Sequence, residues 1–406
     1  MTPQAYSYPV VGPDNLIYIP PYGLNKELKH MLCLDPETLK ITKLRLVTNG
    51  TKEKYTHGIV SGSLIVWIPY GDNRILVRDT ISNITLQIQI DLPTSDEFTK
   101  GKYVQGHLYK NKIYALPYGE NNEFDYVLVF DLTTLKASTI KLNIPNNDKK
   151  KWHQSVMRDG IIYAAPRGER KKSTFNYAIE FNCDTHEYIL KDLSRLYNDT
   201  SMKYTTIAIA NNVIYSPPYG YRNDFNKMLV NKNNEWSSVE LDLGLTTRKY
   251  FGHVKTKNNK LYFPPAGHEV DWNKFLIIDG NTGQHKTFDV PIGKESKKYF
   301  VGVENSQGFV FFIPRGGCVC DPTAEWKKNG DLAEMLVINS NNDSITTIDI
   351  SRCFTDNTTI EKYNACCILN DVIYAFPYGE SETFQTVLIY DTVNYEIRTL
   401  DLNELL

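Results

Sequence analysis

Arginine occupies two positions, 167 and 315, where other copies of the same short motif mostly carry tyrosine. The motif is Pro-x-Gly, and x is Tyr22, Tyr70, Tyr118, Arg167, Tyr219, Ala266, Arg315 and Tyr378 in turn. A guanidinium in a slot otherwise filled by an aromatic ring needs an outlet or an anion, because it never loses its charge. Arg167 and Arg315 are therefore binding candidates. The tyrosines have two readings. Their faces would stack on sugars or on a partner's apolar side chains, or each ring packs between neighbouring structural units with its hydroxyl bonded to backbone.

A second series accompanies the first. An aromatic residue (Tyr6, Tyr55, Tyr103, Trp152, Tyr204, Tyr250, Tyr299, Tyr363) precedes each Pro by 14 or 15 positions, and in seven copies a lysine stands directly before it. These are Lys54, Lys102, Lys151, Lys203, Lys249, Lys298 and Lys362. A circle of such cations would hold a polyanion, for example a phosphorylated or sulfated ligand. The other reading pairs each Lys with an acid of a neighbouring loop (Asp72, Glu120, Glu123, Glu169, Asp224, Glu269, Glu380). Exposed pairs of that kind contribute about 0–1 kcal/mol each.

Two positions past the aromatic stand His57, Gln105, Gln154 and Thr206, and in later copies Gly252, Val301 and Ala365. Strand alternation sets this column on one side, so polarity gathers in one half of it. His107, His153 and His253 lie one or two residues off the column. A histidine with nearby Tyr and Arg would serve as general base and charge neutraliser, the roles a polysaccharide lyase needs. His57, His153, Arg167 and Tyr118 are the catalytic candidates on that reading; structural hydrogen bonding is the alternative. Cys318-x-Cys320-Asp321 and Cys366-Cys367 lack the four-ligand spacing of a zinc site, so no metal is expected. No cofactor is expected either, since nucleotide loops, metalloprotease helices and Gly-x-Ser-x-Gly elbows are absent from the sequence.

The elements that position these residues follow from the period. The motif glycines recur at 48, 48, 49, 52, 47, 49 and 63 residues, the mark of stacked supersecondary units. Within one copy, 102–109 and 113–116 read as two strands, the second ending at Pro117, where a missing donor is tolerated. Residues 126–131 and 138–142 supply two more, giving four short antiparallel strands joined by hairpins. Corresponding third strands are expected at 74–79, 274–279, 335–339 and 387–391. Pro second and Gly fourth suit a type I turn. The first strand carries small residues (Gly58, Gly106, Ser155, Gly252, Gly302, Ala365), which places it innermost, where blades converge. Its aromatic and the Pro-x-Gly then share one face with the loop after the second strand. That loop is longest at 317–330, and variable loops on one face of a regular scaffold usually carry binding.

The expected fold is all-β: a single eight-bladed β-propeller domain over 1–406, four antiparallel strands per blade. Its blades fall at about 1–50, 51–98, 99–147, 148–199, 200–245, 246–294, 295–358 and 359–406. The residues before the first glycine and after the last make one further period, so complete blades are expected at both ends. The string aromatic…Ile-Tyr-x-x-Pro-Tyr-Gly…Val-Leu-Val-x-Asp resembles repeats of large propeller proteins of protists. More loosely it looks like the propellers that include calcium-dependent lactonases and their binding-module relatives. The resemblance spans essentially the whole chain and implies a scaffold, with no activity carried over residue by residue.

Composition narrows the classes further. A formal charge of −2 gives no bias toward nucleic acid or acidic membranes. No apolar stretch approaches the length of a membrane span, and the N-terminus lacks the pattern of a secretory signal. Seven cysteines, odd in number and not one per repeat, point to reduced thiols and a cytoplasmic location. The even spread of special residues over the copies favours a non-catalytic binding or interaction module for a macromolecular, acidic or carbohydrate partner. The alternatives are a carbohydrate-active lyase or hydrolase at the channel mouth, and a multivalent sugar-binding lectin. The ligand-binding candidates are Arg167, Arg315, Tyr22, Tyr70, Tyr118, Tyr219, Tyr378, Lys54, Lys102, Lys151, Gln105 and Gln154.

Overall fold

Each repeat folds into one antiparallel sheet of four strands taken in chain order, and the chain is an all-β, eight-bladed β-propeller. The computed structural model describes residues 6, 8–23, 28–47, 53–93, 100–121, 123–145, 148–169, 175–197, 202–220, 224–267, 272–291, 298–315, 332–354, 362–378 and 384–405. The sheets span 10–45, 55–89, 103–141, 156–192, 208–240, 254–289, 299–349 and 363–401. Third strands lie at Arg74–Asp79, Lys274–Asp279, Glu334–Asn339 and Thr386–Asp391, within one residue of the expected positions. No helix among the described residues is long and apolar enough to cross a membrane.

The chain divides into two compact units. One comprises 1–11, 15–43 and 242–406, which hold blades one, six, seven and eight. The other comprises 12–14 and 44–241, with blades two to five.

In both units the core lies between blades. In the second unit, Ile59, Val66 and Ile75 of blade two pack with Ile113, Leu128 and Phe130 of blade three. Blades three and four share Tyr114, Val129, Ile162 and Phe181 in the same way. In the first unit, Tyr6, Ile17 and Leu32 of blade one cluster with Tyr374, Phe376 and Val387 of blade eight. The Tyr6 N–H donates to the Pro377 carbonyl at 3.1 Å. The N- and C-terminal strands therefore belong to separate, complete blades.

The first strands of blades two and three, six and seven, seven and eight, and eight and one touch one another, which makes them the innermost. Their small residues are required there. A Cβ on Gly106 would stand 2.8 Å from side-chain atoms of Ile59 and Ile68, and one on Gly252 would stand 1.7 Å from the Phe300 carbonyl oxygen.

In four blades the aromatic that opens the repeat is buried and spends its polar atom on the third strand. Tyr204, Tyr299 and Tyr363 donate their hydroxyls to the carbonyls of Lys227, Glu334 and Thr386, at 3.1, 2.9 and 3.2 Å. Trp152 replaces tyrosine without loss, because its indole N–H reaches the carbonyl of Tyr177 at 2.9 Å. Each ring joins apolar burial to a satisfied backbone acceptor.

The Pro-x-Gly differs from the expected type I turn. In four blades the aromatic pairs with the motif proline, Tyr55↔Pro69, Tyr103↔Pro117, Tyr299↔Pro314 and Tyr363↔Pro377, after a register shift that marks a bulge. The ladder then continues past the proline. Tyr118 N–H donates to the Lys102 carbonyl at 2.8 Å, and Gly119 N–H to the Gly101 carbonyl at 2.9 Å. The bulge has no use for an N–H at the proline, and Gly119 follows with φ +65°, a conformation glycine adopts without strain.

Gly252→Ala tests the close approach of inner strands. A new methyl against a backbone oxygen has no flexible neighbour to displace, so the loss of stability should exceed the about 1–3 kcal/mol typical of overpacking. Gly62→Ala, with φ +58° but nothing within 4 Å, should cost about 1–2 kcal/mol from backbone strain alone. Urea unfolding midpoints of the two variants should therefore differ clearly in that order.

Candidate functional site

The seven repeated lysines lie in the interior. Lys54, Lys102, Lys151, Lys203, Lys249, Lys298 and Lys362 are all fully buried. Neither an open cationic circle nor a set of exposed ion pairs describes them. Three of the ammonium groups reach main-chain carbonyls: Lys203 donates to Phe175 O at 3.1 Å, Lys298 to Trp272 O at 3.2 Å and Lys249 to Thr246 O at 2.5 Å. Phe175 and Trp272 each precede the third strand of the preceding blade, so Lys203 and Lys298 latch that blade's loop. Aromatic rings lie beside two of the ammoniums, Tyr197 near Lys203 and Phe354 near Lys362, at 5.8 and 5.2 Å.

Lys151 Nζ has no hydrogen-bond acceptor among the described residues. Burial lowers its pKa to about 8, partly offset by Asp125, Asp148 and Glu123. The ion pairs at the surface of this unit use other lysines. Glu120 accepts from the Tyr70 hydroxyl at 2.6 Å and pairs with Lys100 and Lys150 at 3.8 and 3.6 Å. Asp72, fully buried, binds Arg74 through two hydrogen bonds of 3.0 Å.

The motif side chains form stacks. In the second unit, Tyr70 and Tyr118 have ring centroids 6.3 Å apart. The Arg167 guanidinium lies between Tyr118 and Tyr219, 5.3 and 5.9 Å from their centroids, and donates to the Tyr118 hydroxyl. In the first unit, Arg315 lies 3.9 Å from Phe300 and 5.2 Å from Tyr378, and Tyr378 lies 5.5 Å from Tyr22. Arg167 and Arg315 are only 7% exposed, so the outlet an arginine needs is chiefly the faces of its aromatic neighbours. Where Ala266 leaves the slot empty, Phe251 and Phe300 fill in, stacked at 4.0 Å. Those phenylalanines directly follow the strand aromatics of blades six and seven. The sequence signal was available, since most other copies have a small or β-branched residue there.

A polar group on the inner strands of the second unit remains. Gln105 Oε1 accepts from the Ser155 N–H at 3.1 Å, and His107 Nε2 meets Ser155 Oγ at 2.7 Å. His153 Nδ1 bonds the Thr205 carbonyl at 3.1 Å, and its ring stands edge-on to Tyr118 at 5.4 Å. That geometry makes Nδ1 the protonated nitrogen of His153. Among the described residues His57 Nδ1 and Gln154 Oε1 have no hydrogen-bond partner. Burial holds these imidazoles far below the usual range: His57 at about 4, His107 at about 3 with the nearby His57 as a minor cause, and His153 at about 4. They are neutral donors and acceptors at physiological pH. His253, in the first unit, is depressed to about 4 by the same cause.

The structure thus brings together His57, Gln105 and His107 on the inner strands of blades two and three with His153, Gln154 and Ser155, which directly precede the inner strand of blade four; Tyr118 lies beside His153, and Arg167 against Tyr118. Tyr22, Tyr378 and Arg315 form a separate stack in the first unit. The sequence marked His107 as a histidine beside the column and Ser155 as a small inner residue, but spacing alone did not show that the two meet. Cys318, Cys320 and the loop 317–330 lie outside the described residues. Cys366 is buried and its thiol pushed up to about 12 by desolvation, and burial pushes Cys367 up as well. No group of three or more metal-ligating side chains occurs among the described residues.

No family model matches the sequence, and no curated protein is a detectable relative. Solved propeller structures are similar in fold. The dihydro-heme d1 dehydrogenase NirN in complex with DHE has a TM-score of 0.58 at 10% identity, over 99% of this chain and 77% of that one. Apo AztD from Citrobacter koseri has a TM-score of 0.56 at 10% identity, over 93% and 92% of the two chains. At such identity the likeness is one of architecture alone.

The protonation of Lys151 is accessible to experiment. Its folded-state pKa of about 8 lies below the unfolded 10.5, so the folded state disfavours the proton. Stability should be lowest below pH 8 and rise as pH climbs to 10.5, by on the order of 3 kcal/mol from this group. Lys151→Met keeps the aliphatic stem and removes the titration. The stability difference between variant and wild type should therefore shrink by that amount across the window, measured by urea unfolding at matched pH. A difference independent of pH would show an ordinary lysine.

Proposed function

We propose that the chain is a non-catalytic binding module whose inner-strand polar group and Pro-x-Gly face recognise a neutral hydrogen-bonding partner. The candidates are an uncharged carbohydrate or a segment of another macromolecule. The observation that carries this reading is the fate of the chemical groups. The lysines are fully buried, with Lys203 and Lys298 latching loops, the arginines lie between rings, and the imidazoles are neutral and half-buried. A general base works best with a pKa near the working pH, and an imidazole near 4 is too weak a base to take a carbon-bound proton. As neutral donors and acceptors the same groups suit hydroxyls and amides. The similar NirN was solved with DHE bound, which supports a ligand-holding role for the scaffold in general. The free, buried thiols Cys183, Cys353 and Cys366 fit a reducing, cytoplasmic compartment.

A thermal-shift panel of neutral and acidic oligosaccharides, inositol phosphates, nucleotides and peptides tests the reading, because a ligand of the native state alone raises Tm. A neutral ligand should shift Tm by several degrees and bind one per chain by calorimetry. Gln154→Ala should weaken it at least tenfold, about 1.4 kcal/mol, with Tm of the free protein nearly unchanged. Consumption of the ligand would establish the lyase or hydrolase reading instead. Several equivalent sites per chain would establish the lectin reading.

A further inference from the structure

We infer that the outer strand of blade two, Ile84–Gln89, is a docking edge for a second copy of this chain, forming a two-fold, antiparallel strand pair. The fourth strand of every blade ends its sheet, leaving one row of backbone groups turned outward. Natural edge strands are guarded by charge, because an unguarded one pairs with other chains. Seven outer strands follow that rule. Ile41–Arg45, Lys136–Lys141, Tyr188–Asp192, Glu235–Glu240, His285–Asp289, Ser344–Asp349 and Ile397–Asp401 each contain at least one Lys, Arg, Asp or Glu. Ile84–Gln89 reads Ile-Thr-Leu-Gln-Ile-Gln and contains none.

Its apolar side chains are also exposed. Ile84 is 51% and Leu86 37% accessible, and Ile81 in the preceding turn reaches 86%. The hydrogen-bond parity fixes which backbone groups are offered. Ile90 N–H donates to the Asn73 carbonyl, and Ile84, Leu86 and Ile88 lie opposite Asp79, Val77 and Ile75 in the same phase. The N–H and C=O of Thr85, Gln87 and Gln89 therefore point away from the sheet.

The strand's chemistry selects the occupant. An uncharged edge gains nothing from a charged partner strand, and it meets no like-charge repulsion against its own copy in any register. By contrast, Lys136–Lys141 carries only lysines and Glu235–Glu240 only glutamates, and each repels itself. A two-fold axis at Leu86 sets Leu86 against Leu86 and Ile84 of one copy against Ile88 of the other. These are the closely spaced pairs in which apolar side chains meet, while Thr85 and Gln87 exchange the hydrogen bonds. One edge pair falls at the small end of specific interfaces, so the dimer is weak and concentration-dependent.

Sedimentation velocity from low micromolar to several hundred micromolar protein tests this. The wild type should move from monomer toward dimer over that range. Leu86→Lys places like charges across the axis and should hold the chain monomeric with Tm unchanged. The milder Leu86→Thr, which keeps strand propensity, should raise the dissociation constant at least tenfold. Ile189→Lys, on the outer strand of blade four where Ile189 is 53% exposed, should leave association as in the wild type. A wild type that stays monomeric throughout, or folded Leu86 variants that associate as tightly as wild type, would overturn the inference.

Discussion

Successive blades are tied by an alternating line of main-chain hydrogen bonds, and most of the repeated residues exist to make it. In the second unit, the Tyr70 carbonyl accepts from Lys102 N–H, and the Lys102 carbonyl from Tyr118 N–H. The Tyr118 carbonyl accepts from Lys151, the Lys151 carbonyl from Arg167, the Arg167 carbonyl from Lys203, and the Lys203 carbonyl from Tyr219. The first unit repeats the line through Lys249, Ala266, Lys298, Arg315, Lys362 and Tyr378, with spans of 2.8–3.3 Å. Because the middle motif residue takes part through its backbone, its side chain is free to be Tyr, Arg or Ala. The proline ends the regular ladder just before the line begins.

The buried lysines follow from the same constraint. A residue in that line has its backbone committed to two blades, and its side chain must run toward a loop whose carbonyl has no strand partner. An apolar side chain would leave such an acceptor unsatisfied, at about 1–3 kcal/mol each. A lysine reaches it, at the cost of desolvating an ammonium group. Where the acceptor lies within reach, as at Lys203 and Lys298, a charge-assisted bond offsets that cost. Lys151, without an acceptor, retains more of that cost, which Asp125, Asp148 and Glu123 only partly offset.

The architecture was legible in the sequence because it is periodic. Strand positions, the innermost strand, the shared face of aromatic and Pro-x-Gly and the complete terminal blades all follow from spacing and from where small residues and prolines fall. The lysines were not legible. A recurring cation near recurring acids carries the same sequence signature whether it is solvated or buried. What separates the two cases is the reach of a side chain to a particular carbonyl, and spacing along one chain does not encode that. Of the acids, Glu120 pairs with Lys100 and Lys150, and Asp72 binds Arg74. The polar column was half legible. His57 and Gln105 do lie on inner strands, but His153, Gln154 and Ser155 precede the short inner strand Val156–Arg158 of blade four, where distance from the aromatic no longer reports a strand face.

Repetition and function are read from opposite evidence in such a chain. A residue present in seven or eight copies serves what every blade must do, namely hold its neighbours. A residue present in one or two copies answers a demand that the other blades do not share. Ala266 with Phe251 and Phe300 is such a departure, and it is resolved internally by one stack replacing another. Two departures are not resolved that way: the polar group beginning at His57, and the uncharged outer strand beginning at Ile84. Both start in blade two. One is innermost and the other outermost in that blade, so self-association through the edge leaves the inner strands available. Two copies joined there each keep their Pro-x-Gly face, and a partner offering repeated sites would be held by both at once, multiplying a modest single-site affinity.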